Sequence, residues 1–295
     1  MQVAVIGCGE VGRCYGAALA ETGHALAVCE PAPSAAANAL VERLGAELYP
    51  KLGPWLRESQ LAISCVVGTA SLEVARAALP QMDQRAVFAD FTTADPEDIR
   101  RAGVEAKRLG VPYVDVAIMG AISLGGAKTP LLCAGPAAET ITSVWGGLGA
   151  RVRVVSGGAP GDAAALKILR SVFMKGLEGL AIESFAAALR LGKVDQLYEA
   201  LSDMDETPIR GFLETLIRTH VIHAPRRLHE IEEAERQLHK AGLEVAVLPG
   251  VRRLFERSCE AMKASPIGEA KPSADSALAW LLETASAAEK ADAAR

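Results

Sequence analysis

The stretch "VAVIGCGEVG", Val3–Gly12, decides how the chain is read. A short apolar run of the kind that forms a buried strand leads into Gly7-x-Gly9-x-x-Gly12, and a helix-like segment, "EVGRCYGAALAETG", opens inside the glycine pattern. Strand, glycine turn and helix in that order form the context in which this spacing binds a dinucleotide. Gly7 permits the tight turn, Gly9 lets the backbone approach a pyrophosphate, and Gly12 lets helix and strand pack closely. Glu10 and Val11 open the helix, whose N-terminus faces the phosphates. The next apolar run, "ALAVCE", ends at Glu30, 18 residues beyond Gly12. A carboxylate there accepts hydrogen bonds from the adenosine ribose hydroxyls and repels a 2′-phosphate. The following "PAPSAAAN" carries no arginine or lysine to hold such a phosphate. The expected cofactor is therefore NAD, with NADP disfavoured.

Outward from this stretch the pattern alternates. "LAISCVV" reads as a strand that brings Val66 and Val67 to the cofactor, followed by helical "SLEVARAALPQM", strand "AVFADF", helical "PEDIRRAGVEAKRLG" and strand "PYVDVAI". "TPLLCAG", "PAAETITSVWGGLG" and "ARVRVVS" continue the alternation. Short strands separated by longer helices predict βαβ units and a parallel sheet covered on both faces. After Gly161 the strand signals stop. One helical run extends from Asp162 to about Leu191, followed by segments near 193–203, 208–220, 226–241 and 249–263 and an alanine-rich end, 281–295, expected to fray. The predicted fold is an α/β Rossmann domain, residues 1–160, followed by an all-α domain, residues 161–295, linked by a long helix.

The bulk composition excludes several classes. With 295 residues the chain is long enough for two domains, and its net charge of −5 argues against a nucleic-acid surface. No run of about 20 apolar residues suggests a membrane span. The six cysteines, at 8, 14, 29, 65, 133 and 259, are scattered without a CxxC pair, as in a reduced cytoplasmic protein. Cys8, inside the glycine loop, is the one with a chance of exposure. Metal-ligand spacing is absent, so no metal is implied.

Three further stretches, with the glycine fingerprint, carry a resemblance to the β-hydroxyacid dehydrogenase family, which includes the 3-hydroxyisobutyrate and 6-phosphogluconate dehydrogenases. "DFTTADP", 90–96, is similar to the family's D-x-S-T-x-x-P loop; the resemblance implies that Thr92 and Thr93 stand near nicotinamide and substrate. "DVAIMGAISLGGAKTPLLCAG", 115–135, resembles the substrate-binding segment, with Met119, Gly120 and Ala121 in place of Ser-Gly-Gly. "GGAPGDAAALKILRSVFMKG", 157–176, resembles G-x-x-G-x-G-x-x-x-K-x-x-x-N, with Lys167 in the lysine place and Ser171 replacing the asparagine. The family's lysine is its catalytic acid/base, and Lys167 inherits that expectation. The later part resembles a smaller branch, through "KILRSVFMKG", 167–176, and "HAPRRLHE", 223–230. The resemblance also implies a homodimer through the helical domain.

The chemistry is consistent with this assignment. Oxidising an alcohol with NAD requires a base within hydrogen-bond reach of the hydroxyl, and a lysine serves when a partly apolar pocket lowers its pKa. Lys167, Ser171, Lys175 and Glu178 fall on one helical face, so Ser171 and Lys175 join Thr93, Met119 and Gly120 as substrate candidates. The alternative for that face is a solvated stripe with a Lys175–Glu178 ion pair. His223, Arg226 and Arg227 stand beside a proline at an expected helix start, where Arg227 can grip a carboxylate; Glu230 is the competing partner. Asp115 is expected to cap the loop after its strand. The resulting reading is an NAD-dependent oxidoreductase for a small-molecule carboxylate, a hydroxy acid or sugar acid. An imine reductase-like enzyme and a non-catalytic NAD-sensing module stay open as alternatives.

Overall fold

The computed structural model describes residues 1–293, with side-chain surroundings through residue 286. The chain divides into two compact units, one covering Met1–Val172 and the other beginning at Phe173.

The first unit is built on an eight-stranded sheet: β1 (Gln2–Ile6), β2 (Ala25–Cys29), β3 (Glu47–Tyr49), β4 (Leu61–Ser64), β5 (Val87–Asp90), β6 (Tyr113–Ile118), β7 (Leu131–Ala134) and β8 (Val152–Val154). Their order across the sheet is β3-β2-β1-β4-β5-β6-β7-β8. The helices between them are α1 (Glu10–Glu21), α2 (Ala35–Leu44), α3 (Ser71–Ala78), α4 (Pro96–Leu109), the one-turn α5 (Ile122–Gly125) and α6 (Ala138–Gly147). Successive strand side chains point to opposite faces. Val3 and Val5 therefore pack with Tyr15, Leu19 and Trp145 in one core layer, while Ala4 and Ile6 pack with Phe88, Ile99 and Tyr113 in the other. Alanines serve this arrangement: Ala75, Ala78, Ala102 and Ala106 are completely buried where α3 and α4 lie against the sheet.

Two features depart from the expected sheet. The strand β7, from "TPLLCAG", runs antiparallel to β6, pairing Asp115 with Ala134 and Ile118 with Leu131. A parallel return needs a crossover of about a dozen residues or more, usually a helix. The segment from Met119 to Pro130 holds only the one-turn α5 and a short 3-10 turn, so the chain doubles back. The parallel crossover resumes between β7 and β8, where α6 supplies it. The strand β3, three residues long at the sheet edge, has no counterpart in the sequence reading, because "ELY" is too short to show an alternation.

From Asp162 onward the described residues are helical: α7 (Asp162–Arg190), α8 (Val194–Ala200), α9 (Ile209–Lys240), α10 (Leu248–Ala264) and α11 (Ala274–Ala293). The two segments expected at 208–220 and 226–241 are one helix, and Pro225 lies inside it. A proline there removes one backbone donor. Tertiary packing outweighs the loss: Val221 and Ala224, on the turn before Pro225, are buried, and Val221 packs with Ala277 and Trp280 of α11. The end expected to fray continues α11 to Ala293, and its last two residues lie outside the described ones.

The start of α7 is fitted to α4 at van der Waals distance. Gly161 has φ +97°, and a Cβ on it would lie 2.7 Å from the Pro96 carbonyl oxygen and 2.8 Å from Arg100 Cγ. Gly161→Ala is expected to lower unfolding free energy by about 1–3 kcal/mol, because strain and overlap act together. Urea denaturation checks this, and a midpoint equal to wild type contradicts the fitted contact.

Candidate functional site

The glycine loop joins β1 to α1 at the C-terminal ends of the parallel strands, where open α/β sheets bind their ligands. Its three glycines are glycine for three different reasons. Gly7 has φ +89°, and a Cβ there would sit 3.0 Å from the Cys65 carbonyl group. A Cβ on Gly12 would stand 2.0 Å from the Gly7 oxygen, so helix and turn could not close. Gly9 has φ −70°, and a Cβ on it would meet nothing within 4 Å. Nothing inside the chain demands glycine at position 9. The open space fits a ligand that approaches the backbone. As the residue before α1, Gly9 also offers no side-chain cap, leaving the amides of Glu10 and Val11 without a side-chain acceptor. Uncapped amides at a helix N-terminus favour an anion such as a pyrophosphate.

Glu30 follows β2 and is held against this loop. Its Oε2 accepts the Cys8 amide at 2.9 Å and its Oε1 the Ala32 amide at 3.2 Å. A cleft of about 660 Å³ lies beside it, lined by Gly7, Gly9, Glu30, Lys51, Val66 and Val67. Lys51 was missed in the sequence, which offers no cation directly after Glu30. The edge strand β3 brings Lys51 back to the cleft from 21 positions along the chain. Cys8 is buried rather than exposed, and burial pushes its thiol pKa up.

The second cluster sits at the end of β5 and the adjoining first half of β6. Asp90 is fully buried and accepts four hydrogen bonds: from Ser71 Oγ at 2.6 Å, Tyr113 Oη at 2.7 Å, and the amide and hydroxyl of Thr92 at 2.9 and 2.5 Å. Thr92 is thus tied into the protein. Thr93 has φ +50°, unusual for a β-branched residue. Its Oγ1 accepts a hydrogen bond from Lys167 Nζ at 3.0 Å. Lys167 is half-buried; burial lowers its pKa from the ordinary 10.5, with Asp115 pulling in the opposite direction. Asp115 caps the start of α7 rather than the loop after its own strand, its Oδ2 accepting the amides of Gly161 and Ala164 at 3.0 Å each. Met119 is half-buried at the end of β6, and a Cβ on Gly120 would lie 3.2 Å from Thr129 Cγ2.

The structure brings Thr93 and Lys167 together and leaves Ser171 exposed one turn along α7. In the second unit, Lys175 is exposed and paired with Glu178 at 2.6 Å. His223 and Arg227 lie in the middle of α9, not at a helix start, since the helix runs through Pro225. His223 is exposed, Arg226 pairs with Glu230, and Arg227 donates to Thr219 Oγ1 at 2.9 Å. Among the described residues no group of three or more His, Cys, Asp or Glu side chains could hold a metal ion. No described helix is long and apolar enough to cross a membrane.

The glycine loop yields a paired expectation. Gly9→Ala should leave the thermal midpoint unchanged while weakening binding of the nicotinamide dinucleotide by about tenfold or more, a loss of about 1.4 kcal/mol. Gly12→Ala should lower the midpoint itself. Calorimetric titration and thermal denaturation separate the two, and undiminished binding by Gly9→Ala would sink the steric argument.

Residues 2–158 match the family described as the NAD binding domain of 6-phosphogluconate dehydrogenase, and residues 188–258 match a domain of unknown function. An uncharacterized 28.5 kDa protein of Methanothermus fervidus is 25% identical over 259 residues, 87% of this chain and 98% of that protein. A solved conserved protein of unknown function, described as structurally similar to 3-hydroxyacid dehydrogenases, is 26% identical with a TM-score of 0.61, covering 88% of this chain and 97% of its own. The imine reductase of Myxococcus stipitatus, solved in complex with NAD+, shares the fold with a TM-score of 0.74 at 20% identity, over 95% of this chain and 99% of that one. With the nucleotide loop and its match across residues 2–158, the chain belongs to the family of the 6-phosphogluconate dehydrogenase NAD-binding domain.

Proposed function

We propose that the protein is an NAD-dependent oxidoreductase of the β-hydroxyacid dehydrogenase type, acting on the CH–OH group of a small hydroxy acid or sugar acid, with Lys167 as general acid/base. The observation that carries this reading is the half-buried Lys167 ammonium, hydrogen-bonded to Thr93 at 3.0 Å. The bound nicotinamide supplies the hydride chemistry. The chain's own residues do the rest. The glycine loop and the first amides of α1 hold the pyrophosphate, and Glu30 receives the ribose hydroxyls. Lys167 Nζ takes the hydroxyl proton in oxidation and returns it in reduction, steadied by Thr93 Oγ1. Met119, Gly120 and Ser171 shape the substrate side, and Met119 offers no hydroxyl to a carboxylate. The Glu30 carboxylate favours NAD over NADP. Six free cysteines suit a cytoplasmic setting.

A second reading keeps the cofactor and changes the bond: reduction of an imine, favoured by the shared fold with the Myxococcus stipitatus enzyme. Absorbance at 340 nm across panels of 3-hydroxy acids, aldonic acids and cyclic imines decides between them. On a hydroxy acid, Lys167→Ala should cost about 10²–10⁴ in kcat while NAD still binds. Oxidation by wild type should rise with pH through a midpoint below 10.5, since only the neutral amine accepts the proton, and reduction should fall over the same range. Near-wild-type turnover by Lys167→Ala rules the lysine out.

The same reading has two copies pairing through α7. Beside the polar face of Lys167, Ser171, Lys175 and Glu178, this helix exposes Ile168, Leu169, Val172 and Leu177, Leu169 to 65% and Val172 to 69%. An exposed apolar patch of this kind marks an interaction surface. The family resemblance makes a second copy of the chain its occupant in this reading. Leu169→Glu with Val172→Glu should convert a dimer to a monomer in light scattering, and a monomeric wild type would end the proposal.

A further inference from the structure

Asp115 carries a buried feature that the chemistry above does not use. It lies in register with Asp90 on the neighbouring strand, so two buried carboxylates stand side by side in the sheet. Their surroundings differ. Asp90 is satisfied by four donors. Asp115 uses only Oδ2, and its Oδ1 is buried without a hydrogen-bond partner. A buried carboxylate oxygen left unpaired is costly, so its retention calls for a reason.

The two amides that Oδ2 accepts belong to Gly161, just before α7, and Ala164, in its first turn. Ala164 is three residues before Lys167, and residues three apart share a helix face. The carboxylate therefore holds the backbone one turn before Lys167, and its charge acts on the ammonium. We propose that Asp115 is the positioning residue for Lys167: Oδ2 pins the first turn of α7 to β6, and the carboxylate's charge, with Oδ1 unpaired, sets the field in which the Lys167 ammonium sits. This rests on the acid/base reading of Lys167 and extends it by naming the group that acts on it.

The groups facing Asp115 support the assignment. Lys167 on α7 is the cation. Asp90 on β5, Tyr113 on β6 and Cys133 on β7 are the other titratable neighbours. Burial holds Tyr113 well above its ordinary range and lifts Cys133 to about 12, so both stay neutral through the working range. Arg100 on α4 and Asp162 at the head of α7 stand within 4.0 Å of each other. Burial raises Asp115 to about 6, with Asp90 adding to the effect and the backbone amides opposing it. Once ionised, Asp115 raises the pKa of Lys167, which burial lowers.

The test is a titration of Lys167 in the full-length protein. Lysines are reductively methylated with ¹³C-formaldehyde, and the Lys167 signal is assigned by its absence in Lys167→Arg. In Asp115→Asn the amide oxygen can still accept both backbone amides while the charge is gone. The Lys167 midpoint is expected to fall by about one pH unit, and the pH profile of kcat/KM for oxidation to move with it. Wild type alone gives a second reading, needed if the variant does not fold: its Lys167 signal should show a minor inflection near pH 6 as Asp115 ionises. An unmoved midpoint in the variant, or a wild-type signal flat through that range, overturns the proposal. Should Lys167→Ala keep its turnover while the NMR midpoint still shifts, the acid/base reading fails and the coupling between the two residues stands.

Discussion

The site depends on two carboxylates that the sheet buries side by side. Asp90 ends β5 and pairs in register with Asp115 within the neighbouring parallel strand β6, and neither side chain reaches water. Charge in such a place persists only when hydrogen-bonded, and removing one partner of a buried charged group typically costs about 3–5 kcal/mol. Each carboxylate organises one half of the candidate chemistry. Asp90 gathers Ser71, Tyr113 and both donors of Thr92, which shapes the turn that presents Thr93. Asp115 takes the amides that begin α7, which places Lys167 one turn on. Thr93 and Lys167 then meet at 3.0 Å.

The nucleotide half follows a different physical rule, exclusion. Two of the three glycines there make room for the protein itself, Gly7 for the backbone turn and Gly12 for the close approach of α1 to that turn. Gly9 makes room for something else. Glu30 then closes the arrangement from the next strand by accepting the Cys8 amide, which ties the acidic group to the glycine loop. A nucleotide loop and a lysine both fastened to the same sheet would suit the proposed hydride transfer, in which small misplacements of the reacting partners cost large factors in rate.

Much of this was legible in the sequence because it rests on local patterns. Gly7-x-Gly9-x-x-Gly12 after an apolar run needs only strand, turn and helix in succession, and the long helix after Gly161 announces itself by length. What escaped depends on contacts between distant segments. Nothing in "TPLLCAG" tells that β7 runs backward; the lack of a full crossover helix between Met119 and Pro130 decides it. Pro225 reads as a helix boundary until Val221 and Trp280 are seen packed together across it. Lys51 reaches the cleft beside Glu30 only because a three-residue edge strand carries the chain back. The Arg227 contact with Thr219, two turns earlier on the same helix, became visible only once α9 was seen to run through Pro225.

Thr93 shows how these levels combine. A threonine at φ +50° is held in a conformation its branched side chain disfavours, at a cost of about 1–3 kcal/mol that neighbouring structure must offset. The offset comes from both sides: the Asp90–Thr92 bonds fix the residue before it, and the Lys167 hydrogen bond fixes its hydroxyl. Those two constraints originate on β5 and on α7, and α7 is itself fastened to β6. The position of the amine relative to the threonine therefore depends on the register of β5 and β6, which fixes both the loop carrying Thr93 and the start of α7. In the acid/base reading of Lys167, a group held by such strand-anchored contacts would lose little freedom when substrate arrives.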